Sequence, residues 1–248
     1  MLSVQVSYLA HIKTNMADNN EAGEILFLKG YPFYMNQPTS KMNDLFDKYE
    51  SVLRGVLGED VVAVYSIGSG AIPDMVGSPM IDFVLAMKNS PPTEEQYEKL
   101  RTANVGLIGD GKSPHDPGDT WFQNLDFPPS GDFEAFKVNG AFPPDGYLGR
   151  LTIHFVHYKS PFIGKVLCFV EFLKQNQDAF NKYRDVKIEG ARMQSSASDV
   201  EGSADAAAGP SNFIKYKMHK AAVVSELMES SMKWGEKGNF VLPKELVE

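Results

Sequence analysis

The sequence predicts a mixed α/β domain with a helical C-terminal part. Two apolar runs rich in β-branched residues, Val61–Ile67 and Met80–Met87, flank a connection dense in turn formers: Gly68, Gly70, Pro73, Gly77 and Pro79. A third run, RLTIHFVHY from Arg150 to Tyr158, alternates as a strand, with Thr152, His154 and Val156 on one face and Ile153, Phe155 and His157 on the other. After Ser160 the apolar spacing becomes helical almost to the end of the chain.

Composition narrows the class. The chain has 248 residues, room for one sizeable core, and 43% hydrophobic against 23% charged residues is the balance of a globular protein. No run reaches the eighteen or so apolar residues of a spanning helix, so no membrane partner is expected. The first residues carry no basic segment ahead of their short apolar patch and no small-residue cleavage pattern, which predicts a cytoplasmic protein. One cysteine, Cys168, excludes an internal disulfide and any multi-cysteine zinc site; within IGKVLCFVEFL it reads as a buried structural thiol. A net charge of −8 argues against nucleic acid as a partner, so an anionic ligand needs local lysines or a metal. The oligomeric state is left open.

In chain order, residues 1–24 are rich in Asn, Asp and Ala and read as a mobile arm. Glu24–Tyr34 holds one short strand followed by an aromatic turn. Thr39 or Ser40 caps a helix in which Met42, Leu45, Phe46, Tyr49, Leu53 and Val56 recur at helical spacing until Gly58. Thr93, Glu94 and Glu95 open another helix, through about Asn104. Residues 106–149 are dense in Gly, Pro and Asp, with strands expected around Trp121–Phe127 and Phe133–Val138; a segment of this length is usually functional or disordered, and this one is expected to border the site. Inside it, GLIGDGKS from Gly106 to Ser113 satisfies the phosphate-loop spacing, but Pro114 and Pro117 follow at once and no helix can start there to aim its N-terminus at a phosphate. Ser160 and Pro161 begin the next helix, and Gln177 to about Arg192 and Ser211–Trp234 are helical by spacing. Between them, residues 193–210 have no large apolar residue beyond Met193 and Val200 and read as a disordered insertion. Pro243 limits helix in the tail.

The run Met80–Met87 contains one acid, Asp82. A carboxylate among residues fit for burial needs a partner, a proton or a metal, unless it points to the solvated face of an edge strand. The surrounding GSGAIPDMVGSPMIDFVL resembles the signature of the GrpB-like family of the nucleotidyltransferase superfamily, a Gly-Ser-Thr, a Val/Ile-Pro and a Lys-Pro-Ile-Ile-Asp-Ile run. Gly68, Ser69, Ile72, Pro73, Pro79, Ile81 and Asp82 match; Gly70 stands in place of Thr, Asp74 in place of Gly and Ser78 in place of Lys. Downstream, FEAFKVNG resembles a Tyr-Phe-Arg-Lys-Gly stretch, and the family's His-Leu-His-Val-Val strand corresponds to Thr152–Val156, with Thr152 replacing the first His and His154 keeping the second. Phe169, Glu171, Phe172, Leu173, Lys174, Tyr183, Lys187, Tyr216 and Lys220 fall in register with the family's helical block, and Val170 replaces its Arg.

This resemblance implies a minimal nucleotidyltransferase-like mixed β-sheet flanked by helices: an arm at 1–24, a sheet domain at 25–158, a helical part at 159–234 with the insertion at 193–210, and a tail at 235–248. It implies Mg²⁺-dependent transfer of a nucleotidyl group from a nucleoside triphosphate to a small molecule or protein. Asp82 would hold the metal and His154 would take the place of a third acid, with Asp74 or Glu171 as further donors. Gly68 and Ser69 would cradle phosphates, and Arg184, Lys187, Lys217 and Lys220 would form a basic cluster. The second acid of such a site belongs at Val84. Its replacement keeps a second reading open: a non-catalytic binding module for a phosphorylated or acidic small ligand. A solvated helix face accounts for each lysine taken singly, and a satisfied core histidine for His154.

Overall fold

The computed structural model describes residues 25–28, 31–35, 39–77, 80–90, 92–102, 136–140, 150–196 and 212–247. The expected arm at 1–24, the Gly-Lys-Ser segment, the strand around 121–127 and positions 197–210 of the insertion lie outside the described residues.

Strands β1 (Ile25–Leu28) and β2 (Tyr31–Tyr34) pair antiparallel as a sheet of their own. The expected aromatic turn is thus a second strand. Tyr34 also exchanges both backbone hydrogen bonds with Gly77, 2.8 and 3.0 Å, which ties this hairpin to the connection before the main sheet. Helix α1 (Thr39–Leu57) ends where Gly58 turns to φ 62°, the left-handed stop that glycine makes without strain. Strand β3 (Val61–Ile67) and strand β4 (Met80–Met87) have the bounds their sequence predicts. Helix α2 (Glu94–Thr102) opens on a reciprocal cap: the Gln96 N–H donates to the Thr93 hydroxyl and the Gln96 side chain accepts from the Thr93 N–H.

Strand β5 (Phe136–Gly140) lies further along than expected, and β6 (Arg150–His157) completes a four-stranded sheet of order β3-β4-β6-β5. The β4–β6 pair is parallel and the other two antiparallel, so the sheet is mixed. Helices α3 (Pro161–Gln175), α4 (Gln177–Ser196) and α5 (Asn212–Trp234) form the helical part. Ser160 caps α3 by accepting from the Phe162 N–H, with Pro161 at the first position. Among the described residues no helix is long and apolar enough to cross a membrane.

The alternation of β4 and β6 sorts the core. Ile81, Phe83, Leu85, Met87, Ile153 and Phe155 face Tyr49, Leu53 and Leu57 of α1, with Leu100 of α2 beside them. Val84, Ala86 and Val156 face Phe162, Ile163, Val166 and Leu167 of α3. In β3, Val61 and Val64 share the α1 face because a register shift between Val61 and Ala63 breaks the two-residue period. The helical part has its own core, in which Phe169, Tyr183, Val186, Tyr216 and Leu227 pack with Phe33, Ile72 and Met75. Beyond α5, the chain returns to the sheet: Leu246 is buried on the α3 side and the Tyr65 hydroxyl donates to Glu245, 2.9 Å.

Candidate functional site

Asp82 leaves β4 on the face it shares with Val84 and Ala86, the one covered by α3. It stands level with Ile67, the last residue of β3, and with Thr152 on β6, and it is half-buried. Gly68 follows Ile67 with φ 69° and ψ −164°, a conformation almost confined to glycine. A Cβ built there would collide with the Asp82 carboxylate, so this glycine is required twice over. Ser69–Ala71 then makes one tight helical turn, in which Ala71 and Ile72 donate back to Gly68 and Ser69.

Two lysines and two tyrosines complete the site from the helical part. Tyr183 and Lys187 lie one turn apart on α4, and the Lys187 ammonium sits 5.1 Å from the centroid of the Tyr183 ring. On α5, Tyr216 and Lys220 repeat the arrangement, with the Lys220 ammonium 5.2 Å from the Tyr216 ring. Lys187 is 1% exposed and Tyr183 is also buried. Burial holds the Lys187 pKa well below the ordinary lysine range; the charge of Lys220 pushes it the same way and the carboxylate of Asp82 opposes both. Tyr183 is raised by burial and then by Asp82, and Tyr216 by burial and then by Tyr183. These mutual influences put Asp82, Tyr183, Lys187, Tyr216 and Lys220 in one electrostatic neighbourhood. The two helices meet closely because α4 has glycine at the contact: a Cβ at Gly190 would lie 2.9 Å from the His219 ring and 3.2 Å from that of Tyr216.

Of the other expected residues, His154 shares the sheet face of Asp82. His154 is buried level with Val84, not Asp82, and its ring lies 5.9 Å from that of Phe162. Asp74 is exposed in the turn, and Glu171 forms an ion pair with Lys174, 2.9 Å. Arg184 pairs with its neighbour Asp185 on the outer face of α4. The backbone of Lys217 belongs to α5, and its side chain lies outside the described residues. Among the described residues no three His, Cys, Asp or Glu side chains converge to hold a metal. One half-buried carboxylate is a poor donor set for Mg²⁺, which asks for several oxygen ligands, and Val84 is fully buried in the core. Sequence reasoning missed Tyr183 and Tyr216 as parts of the site, although the Tyr-x-x-x-Lys spacing on both helices was a visible signal.

Comparison with known proteins agrees with this architecture. A model of one protein family, described as GrpB protein, matches residues 33–230, well over half of the chain. A solved structure titled "Crystal structure of conserved protein GrpB from Enterococcus faecalis" superposes with a TM-score of 0.51 at 19% identity. That superposition covers 82% of this chain and 98% of the other, and at this identity it speaks for the fold alone. A search of curated proteins gave no match.

Proposed function

The chain belongs to the GrpB family, and from that premise we propose that it binds a phosphorylated or acidic small molecule between its sheet and its two C-terminal helices. The observation that carries the reading is the charge arrangement. Lys187 is buried on α4, and the charges of Lys220 and Asp82 both act on it. Two neighbouring ammonium groups raise each other's energy, and an anion between them relieves both the repulsion and the desolvation. Lys220 is the better direct contact, being partly exposed, and Asp82 opposes the loss of charge at Lys187.

Nucleotidyl transfer is the second reading, favoured by the Gly68–Ser69 turn set against Asp82. That chemistry draws on divalent ions held by carboxylates, and since the described residues do not assemble such a site, no step is routed through it here.

Calorimetry with nucleoside triphosphates and inorganic tripolyphosphate, with and without Mg²⁺, separates the two. Binding without Mg²⁺ that Lys220→Met weakens about tenfold, the worth of one charge-assisted contact, supports the binding module. Binding that needs Mg²⁺ and is abolished by Asp82→Asn supports the transferase. Indifference to both substitutions refutes the site.

A further inference from the structure

One polar atom beside Asp82 has no role in the fold. Thr152 is 1% exposed, and among the described residues its hydroxyl has no hydrogen-bond partner. A buried hydroxyl left unmade is destabilising, and valine, of the same shape, would fill the position on β6 without that cost. Thr152 pairs with Asp82 across the parallel β4–β6 ladder, so both side chains leave the same face of the sheet.

The charges of the site are divided in space. The carboxylate stands on the sheet beside the Gly68 turn, whereas the ammonium groups stand on α4 and α5. A phosphate or carboxylate of the ligand is repelled at the sheet end and attracted at the helix end. What suits the sheet end is a neutral hydroxyl, which can donate to the Asp82 carboxylate and accept from the Thr152 hydroxyl.

We infer that Thr152 and Asp82 form a hydroxyl-reading subsite, and that the ligand is a hydroxylated organic anion of the sugar-phosphate class, its phosphate toward Lys220 and a sugar hydroxyl against β4 and β6. Thr152 is then a specificity-determining residue. The inference rests on the anion-binding reading of the lysines, and its test keeps the two apart.

Ribose 5-phosphate carries both groups, and inorganic tripolyphosphate carries only the anion. For Thr152→Val, affinity for ribose 5-phosphate should fall about tenfold, the usual consequence of leaving a ligand hydroxyl unpaired, while tripolyphosphate binding stays within about twofold. The melting temperature of the variant should equal or exceed that of the wild type, since the fold loses only an unpaired group. Thr152→Ser, which keeps the hydroxyl, should bind both probes like the wild type. The inference is overturned if wild type does not bind ribose 5-phosphate at millimolar concentration, if Thr152→Val binds it unchanged, or if that variant is less stable than Thr152→Ser. Should Lys220→Met leave tripolyphosphate binding unaltered, the anion reading itself fails, whatever Thr152 does.

Discussion

Replacing Gly68 with alanine tests the geometry at the centre of the site. At φ 69° and ψ −164° the backbone occupies a region almost closed to other residues, and forcing alanine into it costs about 1–3 kcal/mol. The added methyl would also overlap the Asp82 carboxylate, with the Asp82 Cγ at 3.1 Å and Cβ at 3.3 Å. Asp82 is held in mid-ladder between Ile67 and Thr152, so relief must come from its side-chain torsion, at roughly another 1 kcal/mol. The sum is about 2–4 kcal/mol. For a chain of this size each kcal/mol lowers the melting temperature by about 2–4 °C, so Gly68→Ala should melt roughly 4–16 °C lower by calorimetry or circular dichroism. A double-mutant cycle separates the two parts. Asp82→Ala removes the carboxylate from the overlap but not the backbone strain, so the two substitutions should be coupled by about 1 kcal/mol. A Gly68→Ala protein melting within 1 °C or so of the wild type, or a cycle with strictly additive changes, would refute the close approach.

Two further substitutions probe neighbouring features. Lys187 has its folded pKa below its unfolded value, so between the two the unfolded chain binds more protons and stability rises with pH. The burden of the buried ammonium is fully present at acidic pH and is lifted as pH climbs toward the unfolded lysine value near 10.4. Lys187→Met should therefore flatten the rise in urea midpoint between about pH 7 and 10 relative to the wild type, and parallel profiles would show that Lys187 is not desolvated. Asp74 adopts φ 59° in an exposed turn, so Asp74→Val should destabilise by about 1–2 kcal/mol while Asp74→Gly stays within roughly 0.5 kcal/mol of the wild type; equal midpoints for the two in urea unfolding would contradict the left-handed backbone.

The bounds of β3, β4, β6 and α1 were legible because each combines a clear period with a hard stop, such as Gly58 after α1. Strand β2 was not. Pro32 and three aromatics in Tyr31–Tyr34 read as a turn, but proline is tolerated in a two-stranded sheet, where each strand has an open edge. The register shift that puts Val61 and Val64 on one face depends on pairing with β4 and has no local signature. Asp82 was singled out as the acid within an apolar run, and Lys187 and Lys220 through resemblance to a family motif, while the positive φ of Asp74 accounts for that motif's glycine at this position. Thr152 figured only as a histidine replaced. That its hydroxyl lacks a partner among the described residues depends on β4 and β5, its neighbours in space and not in sequence.

The loss of a second acid and the presence of two tyrosine-backed lysines are parts of one change in the sign of the site. On the β4 face, the position after Asp82 that could carry an acid is Val84, sealed against Phe162 and Val166 of α3. An aspartate there would require desolvating a charge with no cation beside it, which no single hydrogen bond offsets. The lysines, by contrast, come from α4 and α5, and the Asp82 carboxylate acts on Lys187. Their aliphatic stems lie among apolar residues, and their ammonium groups rest on aromatic rings, a setting that tolerates a cation better than an alkane would. These two lysines are local positive charge within a molecule of net charge −8. For the anion proposed above, the surrounding negative field slows the encounter and favours release, so the proposed selectivity has to come from short-range contacts and not from long-range attraction.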